Sequence, residues 1–192
     1  MELLPQLSSL VPGLIGALIG GSVSLYTTHK SHKRDREKEI RREQREVHNL
    51  LIAMQTEIST LWQFHMRRVG DLVENLKDGD ILKFYYPLTQ DYFTIYHASA
   101  RQLGKVRNGK LRSAIVVCYN KCKKVVDGFK FHNGLLEQYM ALSDSEDDSP
   151  KIRQRTQTKY AELQECAKLL KEDHYELKGY VEELIHLIDH NH

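Results

Sequence analysis

Ten histidines in a chain of 192 residues put metal chemistry first. His186 and His190 stand one helical turn apart near the carboxyl end, with His192 close by, and two imidazoles on one helix face can grip one zinc ion. The set lacks the placed Glu, Asp or Cys ligands of a zinc motif, and chain ends fray. We therefore expect no metal ligands and no cofactor. Cys118 and Cys122 are also four apart, the spacing of a redox couple or metal pair. They fall on a Val/Ile stripe, however, and small apolar core residues are the reading that stripe favours. With Cys166 the count is odd, which fits reduced thiols in a cytosolic setting and not a disulfide framework.

His65 and His174 interrupt apolar runs at helical spacing. A polar side chain on such a seam is satisfied by a neighbouring helix or sets its register; catalysis would need a matched partner beside it. Tyr85, Tyr86, Tyr92, Phe93 and Tyr96, near Lys83, have the residue types of a base-stacking surface, but we read them as filling the gap between helix ends. Glycine-rich phosphate loops, the Gly-x-Ser-x-Gly elbow, His-Glu-x-x-His and nucleotide fingerprints are absent. With 28 basic against 26 acidic side chains and a net charge of +2, no global field draws nucleic acid. We expect no catalytic residue and no enzymatic activity.

The elements that would carry these residues are helical, since four prolines and no Gly/Ser-rich stretch leave little for a sheet. Val47, Leu51, Met54, Ile58 and Leu61 alternate steps of four and three, and the pattern passes a four-four step through His65 before Val69, Leu72 and Leu76. One long helix with a stutter is predicted, ending near Asp78-Gly79-Asp80. The aromatic stretch 81–88 reads as an irregular connection. Thr89 is predicted to cap a second helix, stapled by Leu88 and Phe93 and closed by Gly104 after Leu103. A third helix follows Asn108-Gly109, with Leu111, Ile115, Cys118, Cys122 and Val126 as its stripe. A fourth is expected over about 129–142, broken at Asn133-Gly134. The tract 143–150 is acidic and reads as an exposed loop. Ser149-Pro150 then starts the last helix, whose stripe Tyr160, Leu163, Ala167, Leu170, His174, Leu177, Val181, Leu184 and Ile188 keeps three-four steps throughout.

At the other end, residues 3–28 carry no charge, and 7–26 is about the length that crosses a hydrocarbon core. Basic residues follow it, Lys30, Lys33, Arg34 and Arg36, which argues against a cleaved signal and places the amino terminus outside and the rest in the cytoplasm. Gly13, Ala17 and Gly21, and likewise Gly16, Gly20 and Ser24, recur every fourth residue, and such small-residue rows let helices pack closely in lipid. The expected architecture is all-α: a short tail and transmembrane helix over 1–28, a charged stalk over 29–46 with pairs such as Arg42/Glu46, and an antiparallel helical bundle over 47–192 with coiled-coil-like seams.

The layout, together with YFTIYHASARQLG at 92–104 leading into LRSAIV at 111–116 and Tyr119, resembles small single-span proteins of unknown function from bacterial genomes, prophages and mobile elements. The resemblance covers most of the chain and carries no catalytic residue. It implies a membrane-anchored interaction or effector protein of the bacterial inner membrane, in antiphage defence or phage exclusion; with the small-residue rows, we expect it to self-associate through its span and to bind a cytoplasmic protein partner. The alternative is a membrane-tethered metal-dependent or other enzyme with an unrecognised site.

Overall fold

The computed structural model describes residues 4–88, 92–147 and 149–191, with side chains from residue 30 onward except Ser31. Among them the elements are helices, turns and coil, with no strand: α1 (Leu4–His65), a π-helical turn (Met66–Gly70), α2 (Asp71–Glu74), α3 (Thr94–Ser99), a 3-10 turn (Leu103–Lys105), α4 (Gly109–Ser143) and α5 (Pro150–Asp189). The all-α class is thus met. The chain divides into two compact units, Met1–Glu46 and Val47–His192.

In the first unit the described side chains are exposed and mostly charged, with Arg42 and Glu46 paired at 3.0 Å and Lys38 and Asp35 at 3.9 Å. Exposed pairs of this kind support a helix by a few tenths of a kcal/mol each. No helix among the described residues is long and apolar enough to cross a membrane. That finding overturns the expected transmembrane helix, the single-pass topology and the inner-membrane location. From residue 30 onward, where side chains are described, the helices fail for a common reason: α1 is almost wholly charged over 30–46, and beyond it apolar residues form one stripe with charges opposite, so none offers there the roughly 20 consecutive apolar residues a span needs. The side chains of 3–28, including Gly13, Gly16, Ala17, Gly20, Gly21 and Ser24, lie outside those described; Lys30, Lys33, Arg34 and Arg36 are exposed.

The second unit is a bundle of the 47–65 part of α1 with α4 and α5. Pairs between α4 and α5 keep a nearly constant sum of residue numbers: Lys121 to Glu176 at 2.5 Å, Lys124 to Asp173 at 2.6 Å and the Tyr139 and Tyr160 rings. Those two helices therefore run antiparallel. α1 also opposes α5, through Gln55 to Asp189 and His65 to His174. It runs parallel to α4, where Glu57 meets Tyr119 and His65 meets Phe129.

The stripe of α5 is buried at every expected position from Leu163 to Ile188, with Cys166 added, while Tyr160 lies half out of the core. Ser149 caps the helix, its hydroxyl accepting from the Ile152 N–H at 3.4 Å, with Pro150 in the first turn. Asn108 does the same for α4, accepting from the Leu111 N–H at 3.1 Å.

The third and fourth helices expected on this stretch are one helix. Gly128 does not break α4 because it serves close packing there: a Cβ at this position would sit 3.0 Å from Leu170 Cδ2. Asn133 does not form a turn because its side chain is engaged elsewhere, as described below. The stutter in α1 is real and is absorbed by the π turn. The turn shifts the helix phase, so Val69 and Val73 are buried while Leu72, expected on the seam, is 48 % exposed. Helix α3 begins at Thr94 and not at Thr89, which lies outside the described residues, and ends at Ser99 and not near Leu103. Residues 144–147 of the acidic tract are exposed.

Candidate functional site

The site lies where α1, the 81–93 connection, α4 and α5 converge. His65 ends α1, and the π turn begins immediately after it; π turns recur at functional sites because they displace a side chain from the regular helical ladder. His174 comes from the middle of α5. Their rings meet with His65 Nε2 3.0 Å from His174 Nδ1, and His174 Nε2 is 3.3 Å from Glu74 Oε1 on α2. Lys178, one turn along α5 from His174, donates to the same carboxylate oxygen at 3.2 Å.

The proton positions follow from this chain of contacts. A carboxylate only accepts, so His174 carries its proton on Nε2 and presents a bare Nδ1. His65 must then donate from Nε2, which leaves its own Nδ1 as an acceptor with no hydrogen-bond partner among the described residues. Both rings are neutral in this arrangement. Burial, reinforced by the neighbouring His174, drives the pKa of His65 down to about 4. Burial also lowers that of His174, against the opposing pull of Glu74. Glu74 is held below the usual carboxylate range by its hydrogen bonds from His174 and Lys178.

Aromatic rings close around the pair. Trp62 stacks on His65 with centroids 5.4 Å apart and lies 5.3 Å from His174. Phe129 meets His65 edge-on, and Tyr86 stacks on Phe129 at 4.6 Å. Beside the rings is a half-open cavity enclosing about 50 Å³, with Ile58, Val125, Leu177 and Val181 in its walls and Phe64, Leu88 and Val126 also lining it. His65 belongs to the same lining and is 8 % exposed.

Two polar side chains fasten the wall formed by the 81–93 connection. Asn133 of α4 pairs with the backbone of Tyr86 in both directions, accepting from its N–H at 3.0 Å and donating to its carbonyl at 2.6 Å. Glu57 of α1 acts as a distant cap for α3. It accepts from the Ile95 N–H at 2.8 Å, from the Tyr96 N–H and Thr94 hydroxyl at 3.3 Å each, and from the Tyr119 hydroxyl at 2.8 Å. The cap orients Phe93, a cavity residue held in the left-handed region at φ 71°; for a bulky L residue that conformation costs about 1–2 kcal/mol, which the surrounding contacts must offset.

The other candidates fall elsewhere. Cys118 and Cys122 are free and buried on the α4 stripe. The Cys122 thiol is pushed well above its usual range, first by its hydrogen bond with Cys118 and then by burial, and burial raises Cys166 to about 11. Thiols so protonated are poor nucleophiles and poor ligands. The His186 and His190 rings lie tilted with centroids 4.1 Å apart, but His190 Nδ1 donates to the His186 carbonyl at 2.8 Å. His192 is outside the described residues, among which no group of three His, Cys, Asp or Glu is placed to hold a metal. Of the five aromatics near Lys83, Tyr86 is buried while Phe93 and Tyr96 pack on the core, and Tyr85 is exposed.

No protein-family model, curated protein or solved structure matches this chain.

The sequence placed His65 and His174 on seams. It did not show that they meet, because that depends on how α1 and α5 register across a sequence separation of 109. Glu57 and Glu74 are not legible in the sequence at all, and Asn133 reads only as a helix breaker. Their partners are remote in sequence, and the signal that could have pointed to them was a polar residue close to a stripe.

Proposed function

We propose that this chain is an interaction protein whose Val47–His192 bundle binds a protein partner and performs no catalysis. The observation that carries the reading is the apolar cavity, open to the surface and built from four segments of the bundle. Concave, mostly apolar sites with a few placed polar groups are what binding selects. The non-catalytic part of the reading is supported by how the polar groups are spent. His174, Glu74 and Lys178 satisfy one another, and the cavity thiol of Cys122 stays protonated.

The unmatched acceptor on His65 is what favours the alternative, an enzyme with an unrecognised site. A general base, however, needs a nucleophile or substrate proton held against it, and the cavity wall is apolar. For the setting we propose antiphage defence or phage exclusion, by analogy with the small bacterial and prophage proteins that the layout and residues 92–119 resemble. Self-association through the small-residue rows is not part of the proposal, since their effect depends on a lipid environment.

The partner reading is tested by placing a photocrosslinking amino acid at Phe64, on the cavity lining, and at Phe131, on the exposed face of α4, in the native host. A discrete adduct at position 64 that is missing at 131, and that disappears when Val126→Trp fills the cavity, is expected. Equal adducts at both positions, or none, would contradict it.

A further inference from the structure

We infer that the cavity takes a phenolic group, the tyrosine side chain of the partner, with its hydroxyl donating to Nδ1 of His65. The inference rests on the partner-binding reading above and specifies the chemistry of what is inserted.

Three observations converge on a phenol. His65 is more than nine-tenths buried and lines the cavity, and its Nδ1 is a bare acceptor because Nε2 is committed to His174. A purely apolar occupant would strip water from that nitrogen and give nothing back, whereas a donor replaces the lost bond. The lining is aromatic and aliphatic, with Trp62, Phe93 and Phe129 available for edge and face contacts with a ring. Finally, the enclosed space of about 50 Å³ is several times what one water requires, yet too small for a whole ring. It admits the leading edge of one, while the remainder lies across the open mouth. A phenol carries its donor at the tip of its long axis and so fits this approach. An indole carries its N–H on the flank of a wider bicycle and does not. A cationic side chain is also disfavoured, since the site would have to desolvate a charge beside two neutral imidazoles.

Phenol and toluene are close in shape and differ in whether a hydroxyl or a methyl sits at the tip, so they separate the hydrogen bond from the fit. Trp62 is the single tryptophan of the chain and lines the cavity, so its emission reports occupancy in the full-length protein. We expect both probes to change the emission saturably, with phenol half-saturating at a concentration about tenfold lower, the usual discrimination from one buried hydrogen bond. In His65→Phe the preference should vanish while toluene still binds. In Val126→Phe neither should bind. Equal affinities for the two probes in the unaltered chain would overturn the phenolic inference and leave the partner reading standing on its crosslinking test. Failure of both probes to saturate would overturn the inference as well, by showing that the cavity does not open to a ring. The comparison in the unaltered chain decides even if His65→Phe fails to fold.

Discussion

At the scale of single residues, the bundle buries three histidines in neutral form. His65 and His174 share one hydrogen bond, whereas His132 is fully enclosed with neither ring nitrogen in hydrogen-bond geometry. Burial lowers the pKa of His132; the Leu82 carbonyl and the Asn133 side chain are near enough to oppose this only in part. All three pKa values are depressed in the fold, so the unfolded chain binds more protons once the pH drops below the ordinary histidine value of about 6.5. Stability is then complete above that value and falls as the pH moves from about 6.5 towards 4. His65 alone should cost roughly 2 kcal/mol by pH 5. Glu74, which faces the pair and is itself held below the usual carboxylate range, opposes the lowering at His174 without reversing it. Urea midpoints at pH 7, 6 and 5 should fall in that order, and a flat profile would count against neutral burial. Asn133→Ala should cost about 2 kcal/mol, because it leaves both the Tyr86 N–H and its carbonyl unpaired in the core; thermal denaturation measures it.

Between residues and the whole lie the helices, and here the sequence was informative in proportion to how local the determinants are. α5 is legible almost position by position: its stripe is unbroken, and its cap is written in Ser149-Pro150. The stutter in α1 is equally local and appears as the π turn. α4 was misread because Gly128 and Asn133 look like breakers in isolation, while in the bundle Gly128 admits Leu170 and Asn133 bonds to the Tyr86 backbone. Tertiary partners override propensity in both cases. The site was legible only in fragments, since the Glu57 cap joins residues nearly 40 positions apart. Glu57→Ala should therefore release α3 selectively. We expect a loss of about 1–2 kcal/mol, with hydrogen exchange accelerated over 94–105 and little changed in α5; uniform acceleration would argue against a capping role. Deleting Arg67, an exposed residue of the π turn, should restore the three-four rhythm through 65, 69 and 73. Helicity by circular dichroism should survive the deletion, and its collapse would show that the π turn is required for packing.

At the scale of the whole molecule, the parallel pair made by the 47–65 part of α1 and α4 packs with the antiparallel α5 around one continuous core, and the short elements between α1 and α4 close one side of it. The cavity exists because this side is closed by an irregular connection and not by a fourth long helix. The anchored architecture expected from the amino-terminal composition is corrected by the helices described, and the functional account rests on the bundle. Its central claim is that His65 is neutral, donates from Nε2 to His174, and keeps Nδ1 bare for a donor from outside. Long-range proton–nitrogen correlation of the imidazoles in the full-length protein at pH 7 tests this directly. The account predicts a pyridine-type nitrogen at Nδ1 and a pyrrole-type nitrogen at Nε2 of His65, with the same pattern in His174 and an Nδ1 signal of His65 that moves when phenol is added. A protonated Nδ1 on His65, or an imidazolium at either ring at pH 7, would contradict it.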